Sequence, residues 1–184
     1  LSLCNKNLKN INNIDSDKAR HNLLVDVCMA ANYEAQSLIN YRAQYDAEYS
    51  SGSSFTMCTM LARSFADIGD IIRGRDLYGG GGRRKAELQD NLKTIFGKIH
   101  SGLTSGVKAR YNGDEANNYS KLREDWWYAN RSTVWEAMTC EANGTYFRPT
   151  CSDERGEAQA NNKCRCEGAN VVPTYFDYVP QYLR

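Results

Sequence analysis

Every proline in this 184-residue chain lies behind residue 148: Pro149, Pro173 and Pro180. A proline inside a helix removes a backbone donor and clashes with the preceding turn. Its absence from the first 148 residues leaves only glycine to interrupt long helices there. Apolar residues in that stretch recur at helical spacing, and they predict four helices. The first runs from Asp17 to about Tyr49, with Leu24, Cys28, Ala31, Ala35, Leu38 and Tyr45 inward and Asp15 or Ser16 as the N-cap. The second runs from about Phe55 to Ile72, with Cys58, Leu61, Phe65, Ile68 and Ile72 on one face. The third starts near Arg83 and carries Leu88, Leu92, Ile95, Ile99 and Leu103. The fourth begins near Asp114 with Tyr119, Leu122, Trp126, Ala129, Thr133 and Ala137, widened by Trp127, Val134 and Met138. A serine-rich stretch at 50–54 and four glycines at 79–82 form the connecting loops. Amphipathic helices in series with short polar connections predict a mostly α fold built around a helical bundle.

From Cys140 onward the periodicity stops. Four of the seven cysteines (Cys140, Cys151, Cys164 and Cys166) crowd this polar stretch, with ten, twelve and one residues between them. That density fits crosslinked loops in an oxidising compartment. A zinc knuckle would want paired C-x₂-C spacing or nearby histidine, so no metal is expected. A bridge between Cys164 and Cys166 would strain the backbone. Two patterns with Cys140 and Cys151 then remain, and the preferred one nests Cys151–Cys164 inside Cys140–Cys166. The inner loop is worth roughly 3 kcal/mol in the chain-entropy model. Cys28 and Cys58 are expected to pair, which leaves Cys4 for a partner outside the chain. The last stretch, Val171 to Pro180, carries two prolines and reads as extended and packed.

Charge narrows the function. With 23 Lys and Arg against 22 Asp and Glu, the net charge is +1, which argues against nucleic-acid binding. No apolar run reaches the ~18 residues needed to cross a bilayer, and no leader pattern opens the chain, so any secretion signal is expected upstream of it. Two histidines, His21 and His100, leave little for a metal site or a histidine-based triad. No nucleophile elbow or phosphate loop is present, so no catalytic residues and no cofactor are expected. Asp67 and Asp70 sit in an otherwise apolar helix and would suit an acid–base pair only inside a cleft. Arg63, four residues before Asp67, and Arg73, three after Asp70, favour structural ion pairs instead. Arg73, Arg75, Arg83, Arg84 and Lys85 gather five cations around one loop, a candidate site for anionic sugar or a solvated helix start. Trp126 and Trp127 read as core, and Trp135 as either core or a sugar-stacking surface. Asn118, Asn130 and Asn143 open glycosylation acceptor patterns, of which only Asn143 falls in an expected exposed turn.

The block Leu61-Ala-Arg-Ser-Phe-Ala-Asp-Ile-Gly-Asp-Ile-Ile-Arg-Gly-Arg-Asp-Leu-Tyr78 closely resembles a signature of Duffy-binding-like domains. More narrowly, it resembles the alpha class of the Plasmodium falciparum erythrocyte membrane protein family of variant surface antigens. Supporting blocks are His21 to Cys28, Ile95 to Leu103, Leu122 to Trp127, Asn162 to Cys166 and Val172 to Arg184. The resemblance implies an adhesion module on the outer face of the infected erythrocyte, undergoing antigenic variation and held to the membrane only through a distant transmembrane segment. Implied partners are host cell surface receptors, sulfated or blood-group glycans, antibodies and adjacent domains. An alternative is a scaffold that binds nothing and presents epitopes beside a receptor-binding neighbour. The four cysteines from Cys140 to Cys166 look like the four-cysteine subset, rather than the two-cysteine subset often linked with rosetting. The family's most variable positions correspond to the glycines at 79–82 and to residues 152–160. The expected organisation is an N-terminal remnant (1–16), a four-helix core (17–139) and a disulfide-rich loop with an extended segment (140–184). The domain is expected to continue beyond both ends.

Overall fold

A computed structural model of the chain describes residues 18–49, 57–76, 82–142, 151–153, 156–158, 163–166 and 171–184. Its helices are α1 (Ala19–Tyr49), α2 (Met57–Arg73), α3 (Arg83–Ser101), a single turn α4 (Ser105–Lys108) and α5 (Ser120–Met138). A small antiparallel hairpin follows, β1 (Cys151–Asp153) paired with β2 (Gly156–Ala158), Cys151 opposite Ala158. Residues 171–184 run as an extended strap with short 3-10 turns at Phe176–Tyr178 and Gln181–Leu183, as the two prolines predict. Cys4, the expected N-cap at 15–16, the loop at 50–54, the first three of the four glycines and Asn143 lie outside the described residues.

The bundle forms because each helix has an apolar face to hide. α5 packs on α1 and α2, α1 on α2, and α3 against α1 and α5. On α2 every expected stripe residue is buried, and so is nearly all of the rest of the helix. Phe65 sits between Trp127 and Trp135 with ring centroids 5.1 and 5.2 Å apart, distances that favour tilted aromatic contacts. On α1 the stripe centres on Leu23, Val27, Ala31, Ala35 and Leu38, while Leu24 and Cys28 are only half-buried.

Two expectations need correction. The fourth long helix starts at Ser120, not near Asp114. Asp114–Asn117 form a 3-10 turn, then Asn118 and Tyr119 adopt left-handed φ of 55° and 58° and reverse the chain. The Asp114 carboxylate then caps α5 from outside, accepting the Lys121 and Leu122 N–H groups at 3.0 and 2.9 Å. Ala129 and Thr133 consequently face solvent, and Leu122, Trp126, Val134 and Met138 form the inward face.

The second correction concerns sulfur. Cys58 bonds Cys164 and Cys151 bonds Cys166, whereas Cys28 and Cys140 carry free thiols. Neither Cys28–Cys58 nor the nested Cys140–Cys166 and Cys151–Cys164 pairs form. Cys28 turns toward α5, its Sγ 3.9 Å from the Thr133 carbonyl, while Cys58 is fully buried in the core. Burial pushes the Cys28 thiol up to about 11, so it stays protonated at neutral pH. Cys140 is exposed. The Trp135 indole donates to the Cys164 carbonyl at 3.1 Å and seats that bridge, so Trp135 is core rather than surface.

Candidate binding surface

The signature on α2 turns inward. Gly69 stands where a Cβ would lie 2.8 Å from the Trp127 ring, so only glycine lets α2 and α5 approach this closely. Asp70 and Arg73 pair at 3.0 Å as the spacing predicts, and both are buried. Asp67 pairs instead with Arg184 at 3.0 Å, and Arg184 also reaches Asp70. Burial raises the Asp67 pKa against the lowering pull of Arg184. These carboxylates are tied to guanidiniums and serve as structural anchors.

The strap docks onto this face. The Asp177 carboxylate, fully buried, accepts from the Trp127 indole at 2.9 Å and from Arg131 at 2.8 Å through each of its oxygens. Arg131 also donates to the Thr174 carbonyl at 2.8 Å. Its guanidinium lies within 6 Å of the Phe65, Tyr175 and Tyr178 rings, at 5.7, 5.6 and 5.3 Å.

The five-cation cluster divides. Arg73 is 4% exposed, donates to the Gly69 carbonyl, Asp70, Glu124 and the Asp177 carbonyl, and so is withdrawn from any ligand. Its charge is hidden because four acceptors from α2, α5 and the strap converge on it. Lys85 is half-buried and paired with Asp76 at 3.5 Å. Arg75 is exposed but shares Glu124, at 2.7 Å. Arg83 and Arg84 are exposed at the start of α3 and make no ion pair with another described residue. Gly82 caps α3 without a side-chain acceptor.

Beside them a polar groove of about 340 Å³ opens between the end of α2, α3 and the start of α5. Its floor includes Arg123, which the sequence reading passed over. Arg123 donates to the carbonyls of Ile72 and Ile71 and to Gln89, closing the end of α2. Gly74, left-handed at φ +73°, completes that end: its N–H bonds the Ile71 carbonyl at 3.1 Å and the Arg75 N–H bonds Asp70 at 2.7 Å. The available signal was spacing, since Arg123 and Arg131 lie four residues either side of the buried Trp127. Asn130 donates to the Trp126 carbonyl at 2.7 Å within its own helix. Among the described residues, no group of three or more His, Cys, Asp or Glu is placed to hold a metal, and no helix is long and apolar enough to cross a membrane.

The described residues form a helical frame braced by cystines and a docked strap, with a cationic rim outside it, and solved structures are similar to this frame. At 40% identity the chain matches the NTS-DBL1(alpha-1) domain of the Plasmodium falciparum membrane protein 1 (PfEMP1) from the varO strain, with a TM-score of 0.77 over 98% of this chain and 39% of that one. The ICAM-1-binding PfEMP1 IT4var13 DBLbeta domain matches at 35% identity and a TM-score of 0.67, over 95% of this chain and 38% of that one. A curated relative, the Duffy receptor gamma form of Plasmodium knowlesi, is 27% identical over 145 residues, 74% of this chain and 11% of that protein. The Duffy binding domain profile matches residues 1–184, and the chain belongs to that family. It spans well under half the length of each of these relatives.

Proposed function

We propose that this chain is part of a host-cell adhesion module of a parasite variant surface antigen, displayed on the outer face of infected erythrocytes. Its partners are host surface receptors or anionic glycans, and its loops undergo antigenic variation. The observation that carries the reading is the inward-turned signature on a fold shared with a domain described as ICAM-1-binding. Because Gly69, Asp70 and Arg73 are spent on the frame, contact with a partner falls to exposed groups outside it. Of the five-cation cluster, Arg83 and Arg84, with Arg75 beside them, remain exposed, and a surface of this kind tolerates replacement because loop changes leave the core intact.

Retention on immobilised heparin along a salt gradient tests the glycan arm. Substituting Arg83→Ala and Arg84→Ala together is expected to lower the eluting salt concentration, because each cation removed releases fewer counterions. Unchanged retention rejects these residues as the glycan contact. The same burial of the signature also suits a domain that supports a neighbour and presents epitopes. That reading predicts no binding to erythrocytes or endothelial cells, while antibodies map to positions 75, 83 and 84.

A further inference from the structure

We propose that the groove between the end of α2, α3 and the start of α5 binds a single oxyanion, one sulfate or carboxylate group, seated against Arg123. This site is separate from the Arg83 and Arg84 rim and does not depend on the adhesion reading. Arg123 is 3% exposed, and none of its partners is a carboxylate: it donates to the Ile72 carbonyl, the Ile71 carbonyl at 3.1 Å and the Gln89 amide oxygen at 2.8 Å, and its guanidinium lies 5.6 Å from the Phe96 ring centroid. It makes no ion pair with a described carboxylate, and its Nη1 donates to no described acceptor. Burial without a compensating charge lowers its pKa to about 10.

Arg73, Arg131 and Arg184 show what the same protein does with its other sequestered guanidiniums. Each is matched to a carboxylate: Arg73 to Asp70 and Glu124, Arg131 to Asp177, Arg184 to Asp67 and Asp70. A sequestered cation is costly unless an anion accompanies it, so Arg123 departs from the rule that the rest of the fold obeys. Gly74 keeps its outer edge open, since a Cβ there would stand 3.2 Å from Nη1. Lys93, Asn117, Asn118 and Ser120 line the same groove and add donors. The charges limit the ligand to one group. Lys85 is neutralised by Asp76, and Arg73 by its own acids, which leaves Arg123 and Lys93 facing Asp90: one net positive charge. A polyanion would meet Asp90; a lone sulfate or carboxylate would not have to.

Titrating the ¹⁵N-labelled protein with sodium sulfate, at ionic strength held constant with chloride, tests the site. The Arg123 Nε–H and the Ser120 amide are expected to shift and saturate. Lys93→Glu should weaken the affinity about tenfold, the effect of reversing one charge-assisted contact, with an unchanged melting temperature. Arg84→Glu should change it little. Arg123→Gln should abolish saturation; if that variant does not fold, Lys93→Glu carries the test. Galactose 6-sulfate and glucuronate then distinguish the two chemistries, and saturation by either supports the site. Shifts that grow linearly with salt, that chloride reproduces, or that Lys93→Glu leaves intact would overturn it.

Discussion

Two faces of α2 are held by different physics. The face toward α1 and α5 is apolar, with Leu61, Phe65 and Ile72 fully buried against aromatic rings and aliphatic side chains. The face toward the strap is ionic, with Asp67, Asp70 and Arg73 meeting Arg184 and Asp177 across 104 to 117 residues of sequence. The first face sums many small, non-directional gains from area removed from water. The second depends on a few charges, each of which needs its partner because an orphaned buried charge costs far more than the pair contributes. The apolar face should therefore tolerate single changes by degrees. The ionic face should fail when a single fully buried partner is removed.

The largest effect should come from the bridge that ties α2 to the cysteine-rich segment. Cys58–Cys164 spans 106 residues, and a loop of that order is worth about 4.7 kcal/mol in the chain-entropy model. Cys58→Ser is expected to lower denaturant stability by several kcal/mol. Cys151→Ser, opening a loop of 15, should cost only about 3. Equal losses from the two would break the distinction between the long brace and the local one.

Arg131→Met strips the cation from Asp177 while keeping an apolar stem. The strap should lose about 3–5 kcal/mol of docking energy and become cleavable by limited proteolysis between 171 and 184, with helical circular dichroism retained. Gly69→Ala is smaller and probes the apolar face. A Cβ 2.8 Å from Trp127 should cost about 1–3 kcal/mol by overpacking, visible as a shift in tryptophan emission and an earlier denaturant midpoint.

The smallest effect belongs to Asp67. Its folded pKa is raised, so the folded state holds that proton more tightly than the unfolded chain. Its contribution therefore favours folding below the unfolded pKa near 3.8, and is lost as pH rises through the higher folded value. Asp67→Asn should accordingly change stability at pH 7 by no more than about 0.5 kcal/mol, in keeping with its partial exposure. It should also flatten the stability profile just above pH 4. A large loss at pH 7 would mean that the Arg184 pair outweighs burial.

The contrast between the faces also explains what could be read from the sequence. Cys58, Leu61, Phe65, Ile68 and Ile72 announce themselves because a 3.6-residue period is local, and the Asp70–Arg73 pair is legible for the same reason. The strap partners, Asp177 for Arg73 and Arg184 for Asp67, are not, since no local rule supplies the strap's position. Cysteine pairing misleads for the same cause: proximity in sequence favours Cys151–Cys164, while the fold brings Cys164 to Cys58. The start of α5 hides behind two left-handed residues, which periodicity cannot register. Arg123 escapes notice because neighbouring acids at 124 and 125 make its surroundings look like a solvated face.

Native-state hydrogen exchange on the Asp177→Asn variant tests the two-face account most directly. Amides of the strap from Tyr178 to Leu183 should exchange at least about a hundredfold faster than in the unaltered protein, while those from Leu61 to Ile72 keep their protection. Simultaneous loss of protection in both segments, or none in the strap, would contradict it.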